Sequence, residues 1–273
     1  GKYIMKKNIL SDELVGELVE KIKSYVIFKP TTKKELQNAL IDWVNDREES
    51  ENKYGQINAW DISLLDDLSY LFGDSDCDTY HRYIGEKYVD TTFDENISNW
   101  NTSNVKNMEG LFMNLRYFNQ PLNDWDVSNV ENMSNMFAGT MYFNQPLDKW
   151  NTSKVTNMKR MFGTTYAFYG LHHCGFNHNI NNWDVSNVND MSYMFCDNLD
   201  YDKPLDNWNL SNVKSNTAML FHTMFDESRA KRFFREAKFH KINEEKYPLF
   251  NKENLFSFGK DNSEVEHDAF GNP

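Results

Sequence analysis

One phrase, Trp-Asx-x-Ser-x-Val, recurs along this chain at a spacing that leaves it few ways to fold. It reads WNTSNV at Trp100–Val105, WDVSNV at Trp125–Val130 and again at Trp183–Val188, WNTSKV at Trp150–Val155 and WNLSNV at Trp208–Val213. Counting from Trp60, the tryptophans lie 40, 25, 25, 33 and 25 residues apart, so the unit is 25 residues long and two units carry additions of 15 and 8. A catalytic site needs each of its residues once. A phrase repeated at fixed period is instead the mark of an architecture that stacks one unit on the next.

Within a unit, Val130, Met133, Met136 and Phe137 fall at i, i+3, i+6 and i+7, a spacing that predicts one face of a two-turn helix. Ser128 stands where an N-cap belongs, and Ser128–Glu131 and Ser63–Asp66 have capping-box spacing. The Asn or Asp after each Trp suits a turn, because its side chain can accept from nearby backbone N–H groups. Pro121, Pro146 and Pro204 then exclude helix, so the FNQPLxxW half reads as a short extended strand with Phe, Leu and Trp turned inward. One such coil buries too little apolar surface to offset the entropy of ordering it, so coils must stack.

With its aligned Trp, Asn-Met and Met-Phe positions, WDVSNVxNMSxMF…FNQPLxxW resembles the BspA-like leucine-rich-repeat family over Trp60–Phe221. The resemblance implies an α/β, leucine-rich-repeat-like solenoid, here of about five to six 25-residue coils, used for adhesion or protein contact without catalysis. It also implies display at a cell surface in many members. The N-terminal stretch, however, has Asp12, Glu13, Glu17 and Glu20 where a signal peptide needs an apolar run. An intracellular or virion-borne location is therefore expected.

Stacked coils need covers at both ends. Residues 1–55 are expected to form a helical N-terminal cap. One of its helices carries Leu14, Leu18, Val19, Ile22 and Tyr25; a second starts at the Thr32–Glu35 capping box and turns Leu36, Leu40, Trp43 and Val44 inward. The repeats occupy 56–221, a capping helix 222–250 and a polar tail 251–273.

The net charge of −12, from 29 Lys plus Arg against 41 Asp plus Glu, repels phosphate backbones and makes nucleic acid an unlikely partner. No apolar run reaches the ~18 residues of a membrane span, and three scattered cysteines make no disulfide framework. GLHHCG (Gly170–Gly175) has the glycine spacing of a P-loop but is followed by Phe176 and Asn177 instead of Lys and Ser/Thr, so phosphate chemistry is rejected. His172, His173, Cys174 and His178 fit no zinc pattern, and His178 occupies the repeat position of Gln145. No cofactor, metal or catalytic residue is expected.

The two additions carry the functional expectation. Six residues separate the Phe that ends one half-unit from the aromatic that opens the next at Phe112–Phe118, Phe137–Phe143 and Phe195–Tyr201; the separation is 21 at Phe72–Phe93 and 14 at Phe162–Phe176. Both additions therefore enter at one point of the coil. Their Tyr and His side chains, Tyr80, His81, Tyr83, Tyr166, Tyr169, His172 and His173, are the expected contacts for a protein partner. The chain reads as an interaction scaffold, or alternatively as a structural part of a large assembly such as a giant-virus particle, in contact with neighbouring structural proteins, or a cell-surface adhesin.

Overall fold

The computed structural model describes residues 27–73, 82–84, 87–89, 93–164 and 174–224. Regular elements are few among them: helix α1 (Lys33–Asn45), helix α2 (Arg47–Tyr54), one 3-10 turn (Ile57–Ala59) and a small antiparallel pair, β1 (Arg82–Ile84) with β2 (Lys87–Val89). The expected helix before residue 27, the expected C-terminal helix beyond 224 and the tail lie outside the described residues.

Helix α1 starts where its sequence predicts. Thr32 caps it by accepting from the Glu35 N–H at 3.2 Å. The Glu35 carboxylate reaches one residue further back than a standard capping box, taking the Thr31 N–H at 2.7 Å and the Thr31 hydroxyl at 2.9 Å. Leu36, Leu40 and Trp43 are buried and Val44 packs against the core. Asp46 both ends α1 and caps α2, which stops at Gly55, where φ is +73°.

After α2 the chain winds through six coils, each opened by one of the repeated tryptophans. The α/β leucine-rich-repeat-like solenoid expected from the sequence is not what they form: among the described residues no coil contains an α-helix, and no sheet runs along the stack. Single parallel bridges join successive coils instead, at Asp67–Asn107, Asn107–Asn132, Asn132–Asn157, Asn157–Asp190 and Asp190–Ser215.

Backbone hydrogen bonding explains why. In an α-helix Phe137 N–H would bond the Met133 carbonyl. Here it bonds Met161 O of the next coil at 2.9 Å, and Met133, Asn135 and Gly139 likewise donate to Asn157, Lys159 and Gly163. The intervening N–H groups close four-residue turns, Met136 to Met133, Ala138 to Asn135 and Thr140 to Phe137. A left-handed residue in every coil breaks helical continuity: Tyr70, Gly110, Asn135, Arg160, Tyr193 and Ala218 all have φ between 49° and 58°. Ser128 and Ser63 are accordingly not N-caps of coil helices. Their N–H groups are held by the Asp126 and Asp61 carboxylates.

The FNQPL half pairs with its neighbours through side chains instead of strand ladders. Asn144 N–H donates to the Asn119 side chain, and Gln145 Nε2 donates to the Asn119 carbonyl at 3.0 Å. His178 takes the Gln145 position as its sequence register predicts, with Nε2 2.9 Å from the Asn144 carbonyl.

The turn reading of the Asx after each Trp holds in all six coils. Asp61, Asn101, Asp126, Asn151, Asp184 and Asn209 each accept from the N–H two residues on. The core is a set of aromatic columns. All six coil tryptophans are buried, and Trp100, Trp125, Trp150, Trp183 and Trp208 each donate the indole N–H to the carbonyl three residues before the preceding tryptophan. Phe112, Phe137, Phe162 and Phe195 stack beside a second column, Phe118, Phe143, Phe176 and Tyr201. No described helix is long and apolar enough to cross a membrane.

Candidate interaction edge

The additions leave the stack without disturbing it. Phe72 and Phe93 flank the first, and their rings meet at 4.6 Å; Phe162 and Phe176 flank the second and meet at 4.1 Å. The uninterrupted coils have the same contact, 4.3 Å for Phe112–Phe118 and 4.1 Å for Phe137–Phe143. Each addition is thus a detour from one point of the coil, closed at its root by an aromatic pair. Gly175 sits at the foot of the second, where a Cβ would lie 2.5 Å from the Met141 carbonyl oxygen.

Of the residues expected to bind, Tyr83 lies on β1, paired with Tyr88 on β2. Tyr80, His81, Tyr166, Tyr169, His172 and His173 lie outside the described residues.

Between the two roots the structure places something the sequence reading missed. In the second and third coils, Tyr117 and Tyr142 occupy the position from which the additions leave the first and fourth. Their rings stack at 5.3 Å and 11°, with 41% and 51% of their surface exposed. The Tyr142 N–H donates to the Arg116 carbonyl at 3.1 Å, which fixes the two levels in register, and the Arg116 guanidinium lies 5.4 Å from the Tyr117 ring centre. In the fifth coil the matching place is Asp200, and Leu199 just before it is 48% exposed. Large, ordered aromatic area at low entropic cost is what protein interfaces select. A signal existed: the doublets Tyr117-Phe118 and Tyr142-Phe143 put two aromatics where only one can face inward.

Cys174 and Cys196 are buried, and burial pushes both thiols up, that of Cys174 to about 12, so neither forms thiolate readily. Among the described residues no group of three His, Cys, Asp or Glu side chains is arranged to hold a metal ion.

With this geometry in view, the chain matches the family described as "Mycoplasma protein of unknown function, DUF285" at residues 45–173 and 168–248. Those spans cover well over half of the 273 residues. The chain belongs to this family. Membership in DUF285 replaces the resemblance to the BspA-like leucine-rich-repeat family, in keeping with coils that lack that architecture's helices and sheet. The DUF285 matches take in both additions and all six coils. No curated protein and no solved structure matches the chain.

Proposed function

We propose that the protein is a non-catalytic scaffold that binds another protein along the edge carrying both additions. The observation behind this reading is the exposed Tyr117–Tyr142 stack midway between the two roots. Buried hydrophobic columns account for the repeated Trp, Met and Phe residues, and turns account for the repeated Asx residues. The edge aromatics have no such internal role. A partner laid along the stack meets the first addition, Arg116 and Tyr117, Tyr142, the second addition and then Leu199. Tyr80, His81, Tyr83, Tyr166, Tyr169, His172 and His173 extend this surface within the additions.

The test is affinity capture from the native source with the full chain and two variants. Tyr117→Ser/Tyr142→Ser removes the stack; Leu64→Ser removes an exposed apolar residue, 55% accessible, from another part of the coil. A protein retained by the wild type and Leu64→Ser but lost by the double variant supports the edge. Equal capture by all three contradicts it.

A further inference from the structure

The edge that carries the tyrosine stack also carries two opposite charges that its own coils leave unpaired. Arg116 stands just before Tyr117 in the second coil. Its guanidinium lies against the Tyr117 ring, and its buried Nε has no hydrogen-bond acceptor. Asp200 is exposed and takes, in the fifth coil, the place that Tyr117 and Tyr142 hold in the second and third. Among the described residues neither Arg116 nor Asp200 makes an ion pair. Three coil steps separate them, ~14 Å at the spacing of paired strands, too far for the two to meet within one chain.

Between these charges the row of rings stops. Tyr142 has the Tyr117 ring on one side, but on the other the fourth coil offers Gly175 in place of a third ring. Nothing larger than glycine fits there, since a Cβ would lie 2.5 Å from the Met141 carbonyl oxygen. Tyr142 is the more exposed of the two tyrosines, 51% against 41%. Level by level, the edge therefore reads cation with ring, ring alone, gap, and apolar side chain with anion. Read backwards it is its own complement: the cation falls opposite the anion and the lone ring opposite the gap.

We infer that this edge pairs with the same edge of a second copy, about a two-fold axis that crosses between the third and fourth coils. The inference rests on the edge being a protein-binding surface, and it names the protein. Such an axis runs the second stack antiparallel, setting coil two against coil five and coil three against coil four. Arg116 and the Tyr117 hydroxyl then meet Asp200 of the second copy, the Tyr117 ring meets Leu199, and Tyr142 enters the gap over Gly175. Each contact is made twice, because a two-fold interface is isologous. The charges also choose the direction: parallel copies in register would set Arg116 against Arg116 and Asp200 against Asp200, and like charges brought together suppress that arrangement.

Sedimentation velocity of the full chain, from ~1 to ~300 µM to suit a small interface, decides it. The wild type should dimerise, and Arg116→Asp alone or Asp200→Arg alone should raise the dissociation constant at least about tenfold. Mixing the two single variants, or putting both changes in one chain, brings opposite charges together again at both ends and should restore the dimer. Unfolding cannot produce that rescue. Tyr117→Ser/Tyr142→Ser should abolish the dimer and Leu64→Ser should leave it intact. A wild type that stays monomeric overturns the inference, as does a dimer indifferent to the single charge changes or one lost without rescue. A monomeric chain that still retains a different protein through Tyr117 and Tyr142 removes the second copy and leaves the binding edge standing.

Discussion

Replacing Trp150 with Ala tests the aromatic columns in the middle of the stack. The Trp150 indole is 3% exposed, stacks on Trp183 at 6.0 Å and 9° and lies 6.3 Å from Phe137. Its N–H donates to the Leu122 carbonyl at 2.9 Å. Truncating a buried Trp costs ~3–5 kcal/mol, and a buried carbonyl left without its donor adds ~1–3 kcal/mol. The expected loss is therefore roughly 4–8 kcal/mol, a large part of the ~5–15 kcal/mol that stabilises a typical domain. Trp150→Phe keeps a ring in the column and loses mainly the N–H, so it should cost less than half as much. Urea unfolding followed by circular dichroism gives both numbers, with slopes compared because coil stacks can unfold piecewise. A loss below ~1 kcal/mol for Trp150→Ala, or equal losses for the two variants, would refute the column.

Further outcomes follow from individual contacts. Gly175→Ala drives a Cβ to 2.5 Å from the Met141 carbonyl and should cost ~2 kcal/mol or more, whereas Gly55→Ala meets only its left-handed φ of +73°, with open space around it, and should cost ~1 kcal/mol; paired melting curves rank them. Lys33→Met removes the ammonium that bonds Asp67 Oδ2 at 2.6 Å and the Ser69 carbonyl at 3.0 Å in the first coil and should lower the melting temperature by more than Lys34→Met on the same helix, and equal shifts would discount those bonds. The Lys29 ammonium, then the Ser63 hydroxyl and N–H, holds the Asp61 carboxyl down to about 2. Since the folded pKa lies below the unfolded ~3.9, this stabilisation is present above about pH 4 and is lost as pH falls toward 2. Asp61→Asn should flatten the stability profile across that window, to a modest extent because the pair is partly exposed. Tyr117→Ser/Tyr142→Ser should shift stability by less than ~1 kcal/mol; a larger loss would give these rings a structural role.

Much of the core was legible in the sequence. A 25-residue period with one Trp, one Met-Phe or Leu-Phe pair and one Asx per unit sets which side chains turn inward, and all but Phe221 are found buried or turn-forming. His178 could be assigned its place from register alone. The local backbone was not legible. Val130, Met133, Met136 and Phe137 satisfy a helical stripe, yet the same inward positions arise from successive four-residue turns that contain left-handed residues. Gly110 and Asn135 hint at that conformation, but Tyr70, Arg160 and Tyr193 adopt it with side chains that give no such signal. What selects it is hydrogen bonding to the next coil, a partner 24 or more residues away that no local propensity reports. The Tyr117–Tyr142 stack was hidden for a related reason: each Tyr sits inside a regular unit, and only the superposition of two levels makes the pair.

The central claim is that each coil's amides bond across to the next coil and not along a helix of their own. Scalar coupling transmitted through hydrogen bonds, measured by NMR on the isotope-labelled protein, reads this donor by donor. Coupling from the Phe137 amide nitrogen to the Met161 carbonyl carbon, and from Asn135 to Lys159, is the expected result. Coupling from Phe137 to Met133 instead would establish a helix in the coil and contradict the account.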